Sequence, residues 1–202
     1  MNSDFTSILT DPFFASFLQK WEGLRKNGEL PHRADVKLQD FAPFAADLLM
    51  YDLYSPTDLR SRLVGSSVAE RVKFQGNDVN WLELVCPTVR EAGELWWNSL
   101  FSTPCAGIMQ FSTRFLNGTT RMARSMLVPI IGPEGQTLLL SLNKATGVYR
   151  VDDAVDKILI SADCFQTLYI DIGFGLPDGQ PERKDTKTID PEILTMLYER
   201  PA

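Results

Sequence analysis

The sequence predicts an α+β domain, an antiparallel sheet whose helices are inserted as one block. DLLMYDLY (47–54) and LRSRLVGS (59–66) read as two strands joined by the turn SPTD, with proline at a favoured turn position. AGIMQFSTRFL (106–116), TRMARSMLVPII (120–131) and QTLLLSLNKAT (136–146) read as three more, separated only by NGT and GPEG, both hairpin chemistries. Helical patterns fill the chain between the second strand and the third. Strands and helices are therefore segregated rather than alternating, which separates α+β from α/β order.

Taken in order, residues 11–28 form the clearest helix. Asp11 can cap its first amides, Pro12 suits the first helical position, and Gly28 can adopt the left-handed conformation that ends a helix. Phe13, Phe14, Phe17, Leu18, Trp21 and Leu24 recur at three- and four-residue steps and give one broad apolar face. That face is covered by its own domain, by a second copy of the chain with Phe13, Phe14, Phe17 and Trp21 as the dimer contacts, or by each along different parts of the stripe. ELPHRAD (29–35) is a turn-rich joint, and DVKLQDFAPFAADL after it reads as a short helix leading into the first strand. Past the second strand come short helical pieces at 66–73 and 77–85, then a longer helix at 87–101 with Pro87 at its start. After Gly147 the pattern weakens: a short helix and a strand, a polar stretch at 177–187, and a terminal helix from Asp190. The chain thus divides into an N-terminal helix and joint (1–45), a core (46–147) and a C-terminal extension (148–202).

At 202 residues, 44% of them hydrophobic and 23% charged, the chain suits one sizeable core of ordinary globular composition. A formal charge of −6 and a pI near 4.9 disfavour nucleic acid, whose non-specific binding rests on clustered Lys and Arg. Apolar runs such as LLLSL (138–142) fall short of the roughly 20 residues a membrane span needs. The first residues, MNSDFTSILTDPFF, lack the early positive charge of a secretory signal, so a soluble cytoplasmic protein is expected. Cys86, Cys105 and Cys164 are odd in number and sit in apolar settings, as buried free thiols do.

Two strands, a helical block and three strands is the element order of the PAS fold, and particular residues sharpen the likeness. WEGLRKNGELPHRAD (21–35), followed by the two strands and RVKFQGNDV, resembles a bacterial family of small, often stand-alone PAS-like proteins. Trp21, Arg25, Pro31, Arg33, Asp35, Arg62, Gly65 and Gly76 match its helix, its Pro-x-Arg-x-Asp joint and its Arg-x-x-Gly strand by position. The similarity spans residues 11 to 146. It implies a sensory or interaction module with a five-stranded antiparallel sheet, a cleft between sheet and helices, and frequent self-association, but no particular ligand. The chain is accordingly read as a non-enzymatic sensory or regulatory homodimer acting through another signalling protein, with an adaptor of filled core and a small enzyme of unassigned chemistry as the alternatives.

Two features carry the functional expectations. Arg62, Phe74, Trp81, Trp96, Met109, Phe111, Arg124 and Met126 are the candidate lining of the cleft. Aromatic and Met side chains suit an apolar ligand there, and Arg62, Arg114 or Arg124 would anchor a carboxylate if they point inward; core packing explains the same residues. Arg60 and Arg62, two residues apart, share whichever face their strand presents. Trp21, Arg25, Arg33 and Asp35 form the second feature, an ion-paired latch holding the helix to the sheet or a solvated surface pair.

Cofactor chemistry finds no support. His32, the single histidine, lies in the joint rather than on the long helix where haem-binding PAS domains place their ligand, and Cys86 lacks the Asn-Cys-Arg-Phe context of flavin photosensors. Neither Cys-x-x-Cys nor a His pair offers a metal site, and no catalytic nucleophile has a base beyond His32. The glycines fit no nucleotide-binding loop.

Overall fold

A computed structural model of the chain describes residue 8 and residues 10–72, 79–115, 120–146 and 159–178. Six strands form one antiparallel sheet: β1 (Leu48–Ser55), β2 (Asp58–Val64), β3 (Ala106–Phe115), β4 (Thr120–Ile131), β5 (Thr137–Thr146) and β6 (Leu159–Ile170), in the spatial order β2-β1-β5-β4-β3-β6. Among the described residues the helices α1 (Pro12–Glu22), α2 (Ser66–Val72) and α3 (Arg90–Ser102) accompany them, with 3₁₀ segments at Arg33–Asp35, Leu38–Asp47 and Trp81–Leu84. The α+β class and the inserted helices are as expected, but the sheet has six strands rather than five. The sixth comes from the C-terminal extension and pairs with β3 from Ala106↔Ile170 to Phe115↔Leu159, so that β3 does not end the sheet as an open edge.

Side chains along the strands alternate between the two faces of the sheet. Leu48, Met50, Ile108, Met126, Val128, Ile130, Leu138, Leu140 and Leu142 face one way and join Phe14, Phe17, Trp21, Phe41 and Phe44. Leu49, Tyr51, Leu59, Met109, Leu127, Leu139 and Tyr169 face the other way and join Val68, Leu82, Trp96, Trp97 and Leu100. The molecule is three layers: α1 and the Leu38–Asp47 segment, the sheet, and the inserted helices. A strand buried on both sides needs consecutive apolar residues, which is why Leu138–Leu140 and Leu48–Tyr51 run without a polar break.

Asp11 caps α1, its Oδ1 accepting from Phe13 N at 2.9 Å, and Pro12 occupies the first turn. The helix stops at Glu22, earlier than the sequence suggests, and the chain reverses through left-handed Asn27 and Gly28. The apolar stripe of α1 is used inside the chain. Phe14, Phe17 and Trp21 are fully buried, and Phe13 and Phe17 pack edge-on against Phe44 at 5.3 and 5.8 Å. Trp21 also donates its indole N–H to the Pro129 carbonyl at 3.0 Å. Packing on its own domain therefore accounts for Phe14, Phe17 and Trp21. Phe14, Phe17 and Trp21 offer nothing to a second copy, and Phe13 is half covered.

The joint is fastened differently from the expected latch. Arg25 does not pair with Asp35, nor Arg33 with Asp35. Arg25 lies between the rings of Trp21 and Phe174, at 5.5 and 5.4 Å, and donates to Glu22, to the Glu29 and Gly28 carbonyls, and to the Ile172 carbonyl at 2.9 Å. Asp35 instead accepts from Lys26 at 3.0 Å and from His32 N at 3.2 Å, contacts that hold its carboxyl below the usual carboxylate range. Arg33 donates to the Val36 carbonyl. Arg25 so ties the end of α1 to the segment after β6, a residue pair 147 positions apart.

Candidate functional site

The cleft expected between sheet and helices is the face covered by α2, the Trp81–Leu84 segment and α3. Asn80 seats this block: its Oδ1 accepts from Leu82 N and Leu59 N, both at 3.1 Å, while its Nδ2 donates to the Thr57 carbonyl at 2.7 Å. Asn98 of α3 donates to the Pro56 carbonyl at 2.8 Å. Two asparagines thus bind the helices to the β1–β2 turn, leaving the apolar side of α3 to Trp96, Trp97 and Leu100.

These side chains form an aromatic wall across the sheet. Tyr51 on β1 meets Trp97 at 4.9 Å and Trp81 at 5.7 Å edge-on, Trp97 meets Trp96 at 5.1 Å, and Trp96 stacks on Tyr169 of β6 at 6.2 Å. Burial raises the Tyr51 hydroxyl far above its ordinary pKa, so it stays a neutral phenol. Cys105, at the end of the same layer, is fully buried with its thiol pushed up to about 12, chiefly by desolvation. Iodoacetamide at mildly alkaline pH is expected to alkylate partly exposed Cys86 long before Cys105, as followed by peptide mass mapping; equal rates would mean that this layer opens readily.

Beside the wall lies a polar set. Arg71 of α2 donates to Asp47 at 2.8 Å, to the Asn143 carbonyl at 2.9 Å and to Asn143 Oδ1 at 3.2 Å. Asn143 in turn donates to Ser125 Oγ at 2.7 Å, and Ser125 is fully buried. Ser141, one alternation step along β5 and paired with Leu49 and Leu127, is also fully buried, and its Oγ has no hydrogen-bond partner among the described residues.

Of the eight candidate lining residues, Trp81, Trp96, Met109 and Phe111 come together on this face. Phe74 lies outside the described residues, as does the side chain of Arg114. Met126 is on the opposite face beneath α1, because strand alternation places it with Val128 and Ile130. Arg124, two residues earlier, shares that side: it donates to Gln110 at 3.2 Å and lies near Asp11. Desolvation opposes ionisation of Asp11, but Phe13 N, Lys144 and Arg124 outweigh it and hold its carboxyl below the ordinary value.

Arg62 also faces away from the helical block. The register steps from Met50↔Leu63 to Tyr51↔Ser61, leaving Arg62 as the extra residue of a β-bulge. Its guanidinium meets Asp52 at 2.6 Å and lies over Tyr54, as does that of Arg60. Asp52 alternates with Tyr51, so this arginine pair belongs to the α1 side of the sheet. Neither Arg62 nor Arg124 reaches the face with the aromatic wall.

Sequence reasoning missed Arg71, Ser125, Ser141 and Asn143. The signal was present in LLLSLN and ARSML, where a hydroxyl or amide interrupts strands otherwise apolar on both faces. Among the described residues, no group of His, Cys, Asp and Glu is placed to hold a metal ion, and no helix is long and apolar enough to cross a membrane. Comparison with protein families, with characterised proteins and with solved structures returns no match for this chain.

Proposed function

We propose that the chain is a PAS-type sensory or regulatory module, non-enzymatic and cytoplasmic, that binds a small molecule between its sheet and inserted helices and signals through contacts with itself and a partner protein. One observation carries this reading. Five strands in the order two, then an inserted helical block covering one face, then three, belong to one antiparallel sheet, with a polar set embedded in the buried layer between sheet and block. β6 is an addition to that arrangement, and through Arg25 it connects the chain beyond the sheet to α1. A small molecule that favoured one packing of the block over another would shift the populations of both, which is how sensing without catalysis works.

The ring-on-ring packing of Tyr51, Trp81, Trp97 and Trp96 favours a second reading, an adaptor with a filled interior that acts only through its surface. Native mass spectrometry of the freshly purified full chain separates the two. A dimer mass carrying an additional small-molecule mass is the expected result. A dimer of bare chains supports the adaptor, and a bare monomer at micromolar concentration overturns both the homodimer and the retained ligand.

A further inference from the structure

We infer that Asn27–Gly28 is a self-modifying site: Asn27 loses its side-chain amide to become aspartate or isoaspartate, and the isoaspartate form releases the hold of Arg25 on the segment after β6.

Asn27 and Gly28 are the two central residues of a turn closed by Glu29 N on the Lys26 carbonyl at 3.0 Å. Their φ angles, 54° and 80°, are those of a type I′ turn, the kind that Asn-Gly suits best. Such a turn is closed by the N–H of its fourth residue, so the N–H of Gly28, the third, takes no part in closing it. Both residues are exposed, and a Cβ on Gly28 would meet nothing within 4 Å. The Gly28 nitrogen is thus unshielded next to the Asn27 side chain.

The other asparagines among the described residues are held. Asn80 caps the Trp81–Leu84 segment, Asn98 is inside α3, and Asn143 is paired in β5. The side-chain nitrogen of each donates, to the Thr57 carbonyl, to the Pro56 and Glu94 carbonyls, and to Ser125 Oγ. Each is also followed by a residue with a side chain, which crowds the backbone nitrogen that would have to attack.

At Asn27 the Gly28 nitrogen attacks the side-chain carbonyl carbon. The new N–C bond closes a succinimide ring while the bond to Nδ2 breaks, and the proton lost from the Gly28 amide leaves with ammonia. Water then opens the ring. Opening at the side-chain carbonyl gives aspartate; opening at the main-chain carbonyl gives isoaspartate, whose backbone is longer by a methylene group. Arg25 donates to the Gly28 and Glu29 carbonyls, which follow directly, and with the same guanidinium to the Ile172 carbonyl at 2.9 Å. A longer backbone just before Gly28 displaces both acceptors, so Arg25 is no longer fixed between Trp21 and Phe174.

The full chain, incubated at mildly alkaline pH and sampled by peptide mass mapping with fragmentation that distinguishes isoaspartate, tests this. Asn27 is expected to convert faster than Asn80, Asn98 and Asn143 by on the order of tenfold, since each of those must first break a hydrogen bond. Hydrogen exchange at the Gly173 and Gly175 amides, which donate to Asp171, is expected to accelerate by about three- to tenfold in the isoaspartate form. Asn27→Gly keeps the left-handed turn and cannot cyclise, so it should show neither change on the same incubation. Asn27→Asp, measured fresh, carries the charge without the longer backbone and should exchange as the parent does. Conversion of Asn80, Asn98 or Asn143 at the same rate would overturn the site. Unchanged exchange after conversion, acceleration that persists in Asn27→Gly, or acceleration already present in fresh Asn27→Asp would overturn the release of Arg25 by isoaspartate.

Discussion

Replacing Trp21 with alanine is expected to destabilise the protein by about 4 kcal/mol, a large part of the ~5–15 kcal/mol that holds a typical domain folded. Trp21 is fully buried between α1 and the sheet, so truncation loses its apolar transfer energy and opens a cavity where neighbouring side chains relax only in part. It also strips the Pro129 carbonyl of its indole donor and takes away one of the two rings that sandwich Arg25. Trp21→Phe isolates the polar share: most of the burial stays, the hydrogen bond goes, and a loss of about 1–2 kcal/mol is expected. Urea denaturation of the two variants beside the parent checks both values. A loss under about 1 kcal/mol for the alanine variant would show that α1 is not packed on the sheet as described.

The helix stripe, the hairpins and their order were legible because each is a local signal. A three- and four-residue recurrence, a two-residue turn chemistry and a run of branched residues need no knowledge of distant chain. β6 was legible only as a strand somewhere after Gly147, not as a sixth member of the sheet. Its run, LISADCFQTLYI, mixes small, polar and apolar residues without a clean period, and it is a strand because β3 offers it a ladder, a tertiary fact. The two-sided burial of the sheet was readable in principle. Leu138–Leu140 and Leu48–Tyr51 are apolar at consecutive positions, which a sheet with one wet face does not require.

The candidate site was legible in part, and the three residues that fall on the other face do so for one reason. Trp81, Trp96, Met109 and Phe111 were grouped by type and do meet. Met126, Arg62 and Arg124 were grouped by the same criterion and fall on the other side, because a side chain's face is set by register, and a shift of one residue reverses it. For Arg62 the decisive event is a bulge, which no composition or periodicity announces. Arg25 and Asp35 illustrate the same limit for charges: both serve the joint, but Arg25 reaches across to Ile172 and Asp35 takes Lys26, a residue the motif did not include.

Gly65→Ala is expected to cost about 3 kcal/mol, and the reason connects both faces of the sheet. Gly65 ends β2 at the point where the chain turns into α2, its N–H donating to the Leu48 carbonyl at 2.7 Å and its carbonyl accepting from Ala69 N at 2.9 Å. A methyl group there would lie 2.4 Å from the Ala46 carbonyl oxygen and 2.5 Å from that of Ala45. Both obstacles are backbone, so relief requires moving the Leu38–Asp47 segment. That segment holds Phe41 and Phe44 beneath α1 on one side and presents Asp47 to Arg71 on the other. The glycine in RSRLVGSS is thus explained by close approach of backbone. Gly28→Ala is the matched control: a methyl there meets nothing within 4 Å, and only the left-handed φ of 80° opposes it, at about 1–2 kcal/mol. Chemical denaturation should therefore rank Gly65→Ala below Gly28→Ala. Hydrogen exchange in Ser66–Val72 should accelerate in the first variant alone, because only there does the displaced segment release Arg71. The reverse ranking, or unchanged exchange in that helix, would mean that the corner at Gly65 yields without moving its neighbours.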